Sequence, residues 1–475
     1  MPSYPGFCGP AYESQSRLAR PERCMNLYPE RLELGGAEQV VLYPTPGLET
    51  FSESTSGPCR GLFSQNGRCF TVMANTLYEL NSAGTFTSLG TVETDGNPAT
   101  FSTNGQGGNE LFVTSGNQGY VYNLGTGAFS NPISDVTMGG MVDGFFVALD
   151  QATSTFKISE LLDGTTWDAT QYLQRSSAPD AWQAMLVKNP TIFLFGSETT
   201  EPIYNAGSAP FPFAPVPNMV IPYGIAAPFS AQWLGNTVLW LTRTSNGDRQ
   251  VMMLQGYNAD RVSTYAVEYA WSKYEDVSDA VAFTYQDQGH EFYELNFPSA
   301  NATWVYDLTM GMWHERGKWN ADAMEYEVWG PEYHCFAFDK HLVGDPCNGI
   351  IYNMSVDLFT DVDGKGLRRQ RIPPALHSEQ RRVFLERFQL HLDVGVGLLS
   401  GQGEDPQIML QLSRDGGITW GSERWRSAGK MGEYLHRAQW WRCGSGRNVI
   451  PAVTMTDPVP WRVLDAYIDV VGGTH

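Results

Sequence analysis

The sequence predicts an all-β protein that is built from many short strands. Glycine is abundant, with 49 of the 475 residues, and 13% of the residues are aromatic while only 17% are charged. This composition favours sheets and tight turns over helices. A hydrophobic content of 42% is ample for a packed core in a chain of this length, so we expect a folded protein and not a disordered one.

An internal repeat indicates how these strands are arranged. The segments CFTVMANTLYELNSAGTFTS, from Cys69, and LFVTSGNQGYVYNLGTGAFS, from Leu111, share the order of apolar strand, polar turn, second strand and glycine turn. Three pairs of positions recur at a spacing of 42 residues: Phe70 and Phe112, Tyr78 and Tyr120, Asn81 and Asn123. A period of about 40–45 residues made of short strands is typical of a β-propeller blade.

Five weaker repeats of this hairpin pattern follow along the chain. They pair residues 144–149 with 156–159, 191–196 with 203–204, 238–241 with 251–254, 291–295 with 304–307, and 335–338 with 350–352. Seven such hairpins between residues 58 and 355 predict a propeller-like array of five to seven blades. The alternative is a set of stacked β-sandwiches. Residues 257–279, with Val262, Tyr265, Val267 and Tyr269 near helical spacing, predict either one helix or a long inter-blade loop.

The chain divides into three predicted parts. Residues 1–57 are rich in Pro and Gly and predict an N-terminal arm or platform segment, or alternatively one strand of a closing blade. Residues 58–360 form the propeller-like domain. Residues 361–475 contain alternating stretches at 388–394, 407–413 and 461–471, which predict a small C-terminal β-sandwich.

The charge of −20 is unevenly distributed between these parts. The first 360 residues hold 16 basic and 38 acidic side chains, a net of −22, whereas residues 361–475 hold 15 and 13, a net of +2. An acidic surface repels phosphate backbones, which disfavours a conventional nucleic-acid binder and is otherwise consistent with simple solubility.

A segment that joins the two domains, residues 341–372, carries a basic run. It contains a hairpin turn at 344–349 and a second turn at 361–364, and it ends in Arg368, Arg369, Gln370 and Arg371. These arginines suggest contact with phosphate or with an acidic neighbouring subunit. We therefore predict that the segment is a basic joint between the acidic body and the second β-domain, and a site of subunit contact.

Residues 413–420, SRDGGITW, match the Ser-x-Asp-x-Gly-x-x-Trp pattern called the Asp-box. Physically the pattern predicts a hairpin turn in which Asp415 caps turn amides, glycine supplies a positive φ and Trp420 packs beneath the loop. The Asp-box is familiar from sialidases, but it occurs once here and no acid, tyrosine–glutamate pair or arginine cluster accompanies it in a legible arrangement. It predicts a structural turn and no catalytic residue.

The other candidate motifs do not predict a metal site or a catalytic site either. Residues 361–366, DVDGKG, resemble the start of a calcium loop, but Lys365 and Ile372 occupy positions that need oxygen ligands. The seven cysteines include no Cys-x-x-Cys pair, and the eight histidines form no metal-binding pattern; His334 is expected to be a partly buried strand residue. We predict reduced thiols, no metal, no cofactor and no enzymatic activity. No secretory signal and no membrane span are expected.

Taken together, several stretches resemble the tail-hub, or packaged DNA stabilisation, proteins of short-tailed bacteriophages. The matching stretches are residues 23–30, 43–48, 59–62, 343–352, 360–361 with the arginines that follow, and 412–421. The resemblance implies a non-enzymatic virion protein, assembled in the host cytoplasm, with a β-propeller and added β-domains. It further implies a ring, typically a hexamer, below the portal and head-to-tail adaptor. Such a ring carries tail spikes, fibres or a needle and allows non-specific passage of double-stranded DNA.

Two rival functions come from other classes of protein. One is a β-propeller that binds or hydrolyses glycans, suggested by the Asp-box, and the other is a soluble propeller scaffold for cellular partners.

Overall fold

The computed structural model describes residues 1–32, 40–54, 56–175, 178–379 and 381–473, and it is almost entirely β. Its first five strands lie in three different sheets. They are β1 (Tyr12–Glu13), β2 (Pro21–Met25), β3 (Leu27–Arg31), β4 (Val40–Pro44) and β5 (Gly47–Glu53). None of the helices in these described residues is long and apolar enough to cross a membrane.

Four blades follow, each an antiparallel sheet whose strands pair in sequence order. Blade 1 consists of β6 (Cys59–Gln65), β7 (Arg68–Met73), β8 (Thr76–Leu80) and β9 (Phe86–Thr91); blade 2 of β10 (Thr100–Thr103), the short helix α1 (Gly105–Gly108), β11 (Glu110–Ser115), β12 (Gln118–Asn123) and β13 (Phe129–Ser134); blade 3 of β14 (Met138–Val142), β15 (Phe145–Asp150), β16 (Thr155–Glu160) and β17 (Asp163–Gln174); and blade 4 of β18 (Trp182–Lys188), β19 (Thr191–Gly196), β20 (Thr200–Asn205) and β21 (Phe213–Pro215).

Three further blades complete the array. Blade 5 consists of a 3-10 turn (Pro228–Ser230), β22 (Gln232–Leu234), β23 (Thr237–Arg243), β24 (Arg249–Gln255) and β25 (Asn258–Arg261), and it is followed by helix α2 (Tyr265–Ser272). Blade 6 consists of β26 (Val281–Asp287), β27 (His290–Phe297), β28 (Ala302–Asp307) and β29 (Met312–Arg316), and it is followed by a small hairpin of β30 (Lys318–Asn320) and β31 (Glu325–Glu327). Blade 7 consists of β32 (Tyr333–Ala337), β33 (Lys340–Gly344), β34 (Ile350–Ser355) and β5.

The blades close into a ring, which confirms the propeller and its upper predicted blade number. The first strand of each blade lies beside the first strand of the next blade, except that β18 of blade 4 contacts the 3-10 turn that precedes β22 in blade 5. The array closes where β32 of blade 7 packs against β6 of blade 1. Strand β5 is the outermost strand of blade 7 and precedes blade 1 in sequence, so blade 7 is built from both ends of the propeller segment. Such closure removes the open edges that an unclosed array would expose.

The 42-residue repeat has a visible physical cause. Asn81 Oδ1 accepts hydrogen bonds from the amides of Ala83 (3.0 Å) and Thr85 (2.9 Å) after β8. Asn123 Oδ1 accepts bonds from the amides of Gly125 and Thr126 after β12, at 3.1 and 2.9 Å. In both blades the asparagine side chain therefore caps the turn that follows the strand, although the turn in blade 2 is one residue longer.

The C-terminal region forms the predicted β-sandwich. Its strands are β35 (Arg369–Ile372), β36 (Leu376–His377), β37 (Val383–Leu392), β38 (Gln407–Ser413), β39 (Arg424–Ser427), β40 (Ala438–Gly446), β41 (Asn448–Met455) and β42 (Val463–Gly472). One sheet has the order β3-β4-β42-β37-β40, and the other has the order β2-β35-β41-β38-β39. Because β2 also pairs with β29, the second sheet is continuous with blade 6 in one eleven-stranded sheet.

The propeller and the sandwich share a core. The largest buried cluster contains Phe7 from the N-terminal segment, Trp313 from blade 6 and Trp440 from the sandwich. Helix α2 contributes to the same cluster through Val267 and Trp271, while Tyr265 is 71% exposed. A helix therefore does form within residues 257–279, although Tyr265 does not face the core.

Candidate functional site

The Asp-box loop connects β38 to β39 in the sandwich and has the geometry of a turn. The Asp415 carboxylate accepts hydrogen bonds from the amides of Ile418 (3.1 Å) and Thr419 (2.9 Å) and from the Ser413 hydroxyl (2.7 Å). Hydrogen bonds, led by that from the Thr419 hydroxyl, lower the pKa of Asp415 to about 2. All of these bonds hold the loop's own backbone and side chains, so the loop acts as a structural device.

The backbone conformation of this loop and the packing of Trp420 also match the predicted turn. Gly416 and Gly417 have φ values of +79° and +85°, a conformation that glycine adopts without strain. Trp420 packs against the small core cluster that contains Ile450 and Ala452.

The turn at residues 361–366 also has a structural role. The Asp361 carbonyl accepts the Gly364 amide at 2.8 Å, and the Asp361 amide donates to the Lys365 carbonyl at 2.8 Å. Burial raises the pKa of the Asp361 carboxyl to about 6. Among the residues that the structure describes, no group of three or more His, Cys, Asp or Glu side chains is arranged to hold a metal ion.

The prediction that the basic run contacts phosphate or a neighbouring subunit is wrong for Arg369 and Arg371. Arg369 and Arg371 are completely buried, with 0% exposure each. Arg369 donates to the carbonyls of Val459 (2.6 Å) and Asp457, which anchors the start of the sandwich to its last loop. Because a guanidinium has five donors in a rigid fork, it can satisfy several backbone carbonyls at once, and here these carbonyls belong to the same chain.

Arg371 fixes the N-terminal segment. Its guanidinium donates to the carbonyls of Phe7 (2.6 Å), Pro10 (2.9 Å), Arg23 (3.2 Å) and Gly6 (3.3 Å). These carbonyls come from more than 340 residues earlier in the sequence, so Arg371 holds the first strands against the sandwich.

A cavity of about 550 Å³ lies on the propeller axis. Every blade contributes to its wall, from Leu62 in blade 1 to Tyr333 in blade 7, and most lining residues are apolar or small. Glu332 is the one acidic side chain among the described lining residues. The sequence did not indicate Glu332, because no local pattern distinguishes it from the many acidic residues around it.

The environment of Glu332 disfavours the charged form of its carboxyl group. It is only 7% exposed, and no cation lies near enough to form an ion pair with it among the described side chains. Burial, together with the charges of Asp345 and Asp279, raises the pKa of Glu332 to about 8. The protonated acid is therefore the form that the folded protein favours near neutral pH.

Replacing Glu332 by glutamine is expected to change the pH dependence of stability. Between the unfolded pKa, near 4.5, and about 8, the folded state retains a proton that the unfolded state releases, so wild-type stability falls as the pH rises. Glutamine cannot ionise and avoids this loss. From pH 5.5 to 8.5 the variant should therefore gain roughly 2–4 kcal/mol relative to wild type, at about 1.4 kcal/mol per pKa unit.

Urea unfolding at pH 5.5 and 8.5 measures this difference directly. The exposed Glu325→Gln substitution is the matched control and should leave the pH dependence unchanged. Identical pH profiles for wild type and Glu332→Gln would contradict the raised pKa.

A second pocket, of about 420 Å³, lies beside the axial cavity and shares Thr284 and His334 with its wall. Its other side chains include Trp233, Tyr285 and His341. His334 is partly buried in β32, as predicted, and its Nε2 lies 3.0 Å from His341 Nδ1. Burial lowers the pKa of His334 to about 3, so this imidazole is neutral near neutral pH.

All seven cysteines are free thiols, in agreement with the sequence. The closest pair is Cys69 and Cys335, whose sulfur atoms are 3.7 Å apart in the buried interface between blades 1 and 7. The hydrogen bond with Cys69, together with burial, raises the pKa of Cys335 well above its ordinary value. A buried neutral thiol is a poor nucleophile, so Cys335 serves packing between the two blades.

Comparison with known structures gives distant similarity. The computationally designed protein Ika8 is 12% identical with a TM-score of 0.38, covering 74% of this chain and 99% of its own. A chain of the mitotic checkpoint complex is 11% identical with a TM-score of 0.44, covering 69% of this chain and 96% of its own. Both similarities are too distant to bear on function. A comparison with curated proteins gave no match.

Family models match both domains in order. The model described as "Bacteriophage P22 Gp10, beta-propeller" matches residues 20–358. The model described as "Bacteriophage P22 Gp10, beta-sandwich" matches residues 368–471. The two matches span the closed propeller and the attached sandwich, with the residues that join them in between. The chain therefore belongs to the Gp10 family of phage stabilisation proteins.

Proposed function

We propose that this protein forms a ring, a hexamer, below the portal and head-to-tail adaptor of a short-tailed phage. In this role it retains packaged DNA, provides the exit channel and anchors spikes, fibres or a needle. The observation that carries the proposal is that family models cover both the propeller and the sandwich, in the same order as in the chain. A role in the tail of the virion agrees with this family.

The proposed exit path runs between copies of the chain. The cavity on the propeller axis has a volume of about 550 Å³, which is within the range of small-molecule pockets. A DNA duplex has a major groove that is alone about 12 Å wide, so it cannot pass through such a cavity. A passage for DNA therefore requires several copies around a common axis.

The negative charge of the propeller-containing part of the chain would reduce adhesion of DNA to the proposed channel. The net charge of −22 in residues 1–360 would repel the DNA backbone wherever it faces the lumen, which keeps DNA from adhering during passage. At physiological salt this repulsion extends about 8 Å. A ring whose lumen proved to be lined mainly by Lys and Arg would contradict this role for the charge.

The ring is tested by mass photometry of the purified full-length chain, alone and with portal–adaptor complexes. We expect a species of about six times the 52.7 kDa chain mass, formed alone or on the portal–adaptor complex. A monomer at all concentrations, with no binding to these complexes, would contradict the proposed function.

We also propose that the protein acts without enzymatic activity. The Asp415 loop is a turn held by its own hydrogen bonds, and this supports a structural role for the Asp-box. Incubation of the purified chain with sialosides and host polysaccharides is expected to give no product, and release of free sugar would favour the glycan hydrolase instead.

A further inference from the structure

The open edge of the sandwich carries an unusual set of side chains. Strands β39 and β40 are the outermost strands of the two sandwich sheets and lie beside each other. We call this surface the basic edge, and it comprises Arg424, Trp425, Arg426, Arg437, Trp441 and Arg442. Trp425 and Trp441 are 49% and 53% exposed.

The charges of the basic edge are not neutralised within the chain. Residues 424–447 contain six basic side chains and one acidic side chain. In the described part of the chain, no carboxylate forms an ion pair with any arginine of the basic edge. Exposed strand edges are usually protected against pairing with another chain. Trp and Arg are among the residues most enriched at the hot spots of protein interfaces. The basic edge thus fits a partner that is acidic and partly apolar.

Such a surface exists on the same chain, at one end of blade 3. The β14–β15 and β16–β17 turns lie side by side there, joined by a 2.9 Å hydrogen bond from the Leu162 amide to the Gly144 carbonyl. We call this surface the acidic corner, and it comprises Asp143, Glu160, Leu161, Leu162 and Asp163. Leu161 and Leu162 are 55% and 41% exposed.

The acidic corner is also without counter-charges. Residues 100–174 contain seven acidic side chains and one basic side chain, Lys157, which pairs with Asp150 and not with the corner. Within the described residues, the Asp143 carboxylate accepts one hydrogen bond, from the side-chain Nδ2 of Asn205 at 3.0 Å, and Glu160 and Asp163 form no ion pair. The two surfaces therefore match in charge and each adds exposed apolar area.

The two surfaces lie on different sides of the molecule. The sandwich joins the outer strand of blade 6 through β2, whereas the acidic corner is on blade 3, three blades away around a ring of seven. The acidic corner and the basic edge of one copy thus lie too far apart to meet each other. Two different complementary patches on one chain produce a head-to-tail contact, which forms a ring when the rotation between neighbours closes and does not form a two-fold dimer.

We propose that the basic edge of one copy binds the acidic corner of blade 3 in the next copy, and that this contact connects neighbours in the ring. The inference rests on the ring assembly of the proposed function and specifies which surfaces hold it together. Since its ionic part is partly exposed, the contact should weaken as salt increases.

The test uses charge reversal in the full-length chain, with mass photometry as the readout. Arg437→Glu/Arg442→Glu is the main variant, since neither guanidinium forms a hydrogen bond within the described residues, and its melting temperature should match wild type. We expect its dissociation constant for ring formation to rise at least tenfold. Arg243→Glu/Lys365→Glu changes the net charge equally at two exposed sites outside both surfaces and should form rings like wild type.

A charge swap identifies the partner surface. Asp143→Lys/Glu160→Lys alone should weaken the ring as strongly as the edge variant, and combining the two pairs in one chain should restore it. If either the edge variant or the corner variant forms rings like wild type, or if the combined chain stays monomeric, the inference is overturned and the proposed ring stands. If wild type itself forms no ring, alone or on portal–adaptor complexes, the proposed function fails, and the inference with it.

Discussion

Replacing Arg371 by methionine is expected to lower the free energy of unfolding by about 3–5 kcal/mol, because it leaves several buried backbone carbonyls without a donor. Methionine keeps much of the length of the side chain but cannot donate to the carbonyls of Phe7 and Pro10, which lie 2.6 and 2.9 Å from the guanidinium. Urea unfolding measures the loss. Limited proteolysis should show faster cleavage within residues 1–25, since Arg371 holds this segment to the sandwich.

Arg368→Met in the same basic run is the matched control. The Arg368 guanidinium lies 4.0 Å from the centre of the Trp319 ring, and its Nε has no hydrogen-bond partner among the described residues. We expect a loss of about 1 kcal/mol, the value of a partly exposed cation–π contact. Equal losses for the two variants would contradict the role assigned to Arg371.

Replacing Gly47 by alanine is expected to destabilise the closure of the propeller by about 3 kcal/mol or more, as overpacking against rigid backbone does. A Cβ at this position would lie 2.4 Å from the Leu358 carbonyl oxygen and 2.9 Å from the Phe359 amide nitrogen. These backbone atoms cannot move away, because the Gly47 amide donates to Leu358 at 3.1 Å and the next amide donates to Thr360 at 2.8 Å. The melting temperature and the urea midpoint should both fall.

Gly472→Ala provides the comparison for this substitution. No atom lies within 4 Å of a Cβ added at Gly472, so the change should stay within about 0.5 kcal/mol. If Gly47→Ala melted at the same temperature as Gly472→Ala, the close approach of β5 to residues 358–360 would not hold in solution.

Sequence reasoning succeeded where structure is local. Each blade hairpin joins two adjacent strands through a short turn, so period-2 hydrophobicity and turn residues such as Asn81 and Asn123 are sufficient to predict it. The hairpin of β33 and β34, with its turn at residues 344–349, was identified for the same reason. The Asp-box loop likewise needs only residues 413–420 to form its hydrogen bonds.

Sequence reasoning failed where the partner is distant. A run of arginines suggests exposure, and only the fold shows that the carbonyls of residues 6–23 surround Arg371. The pairing of β2 with both β29 and β35 joins segments separated by about 290 and 345 residues, and no local pattern encodes it. The limits at residues 57/58 and 360/361 stay predictions.

Strand β5 and its N-terminal neighbours have a consequence for synthesis on the ribosome. The first 53 residues supply β1 and β2 to one sandwich sheet, β3 and β4 to the other, and β5 to blade 7. The partner of β5 is complete only when residue 355 has been translated, and β4, which can pair early with β3, gains its second partner β42 only after residue 463. The blades can form one by one as they leave the ribosome, but the propeller cannot close before β34 is made, and β2 and β4 wait longer, for strands of the sandwich.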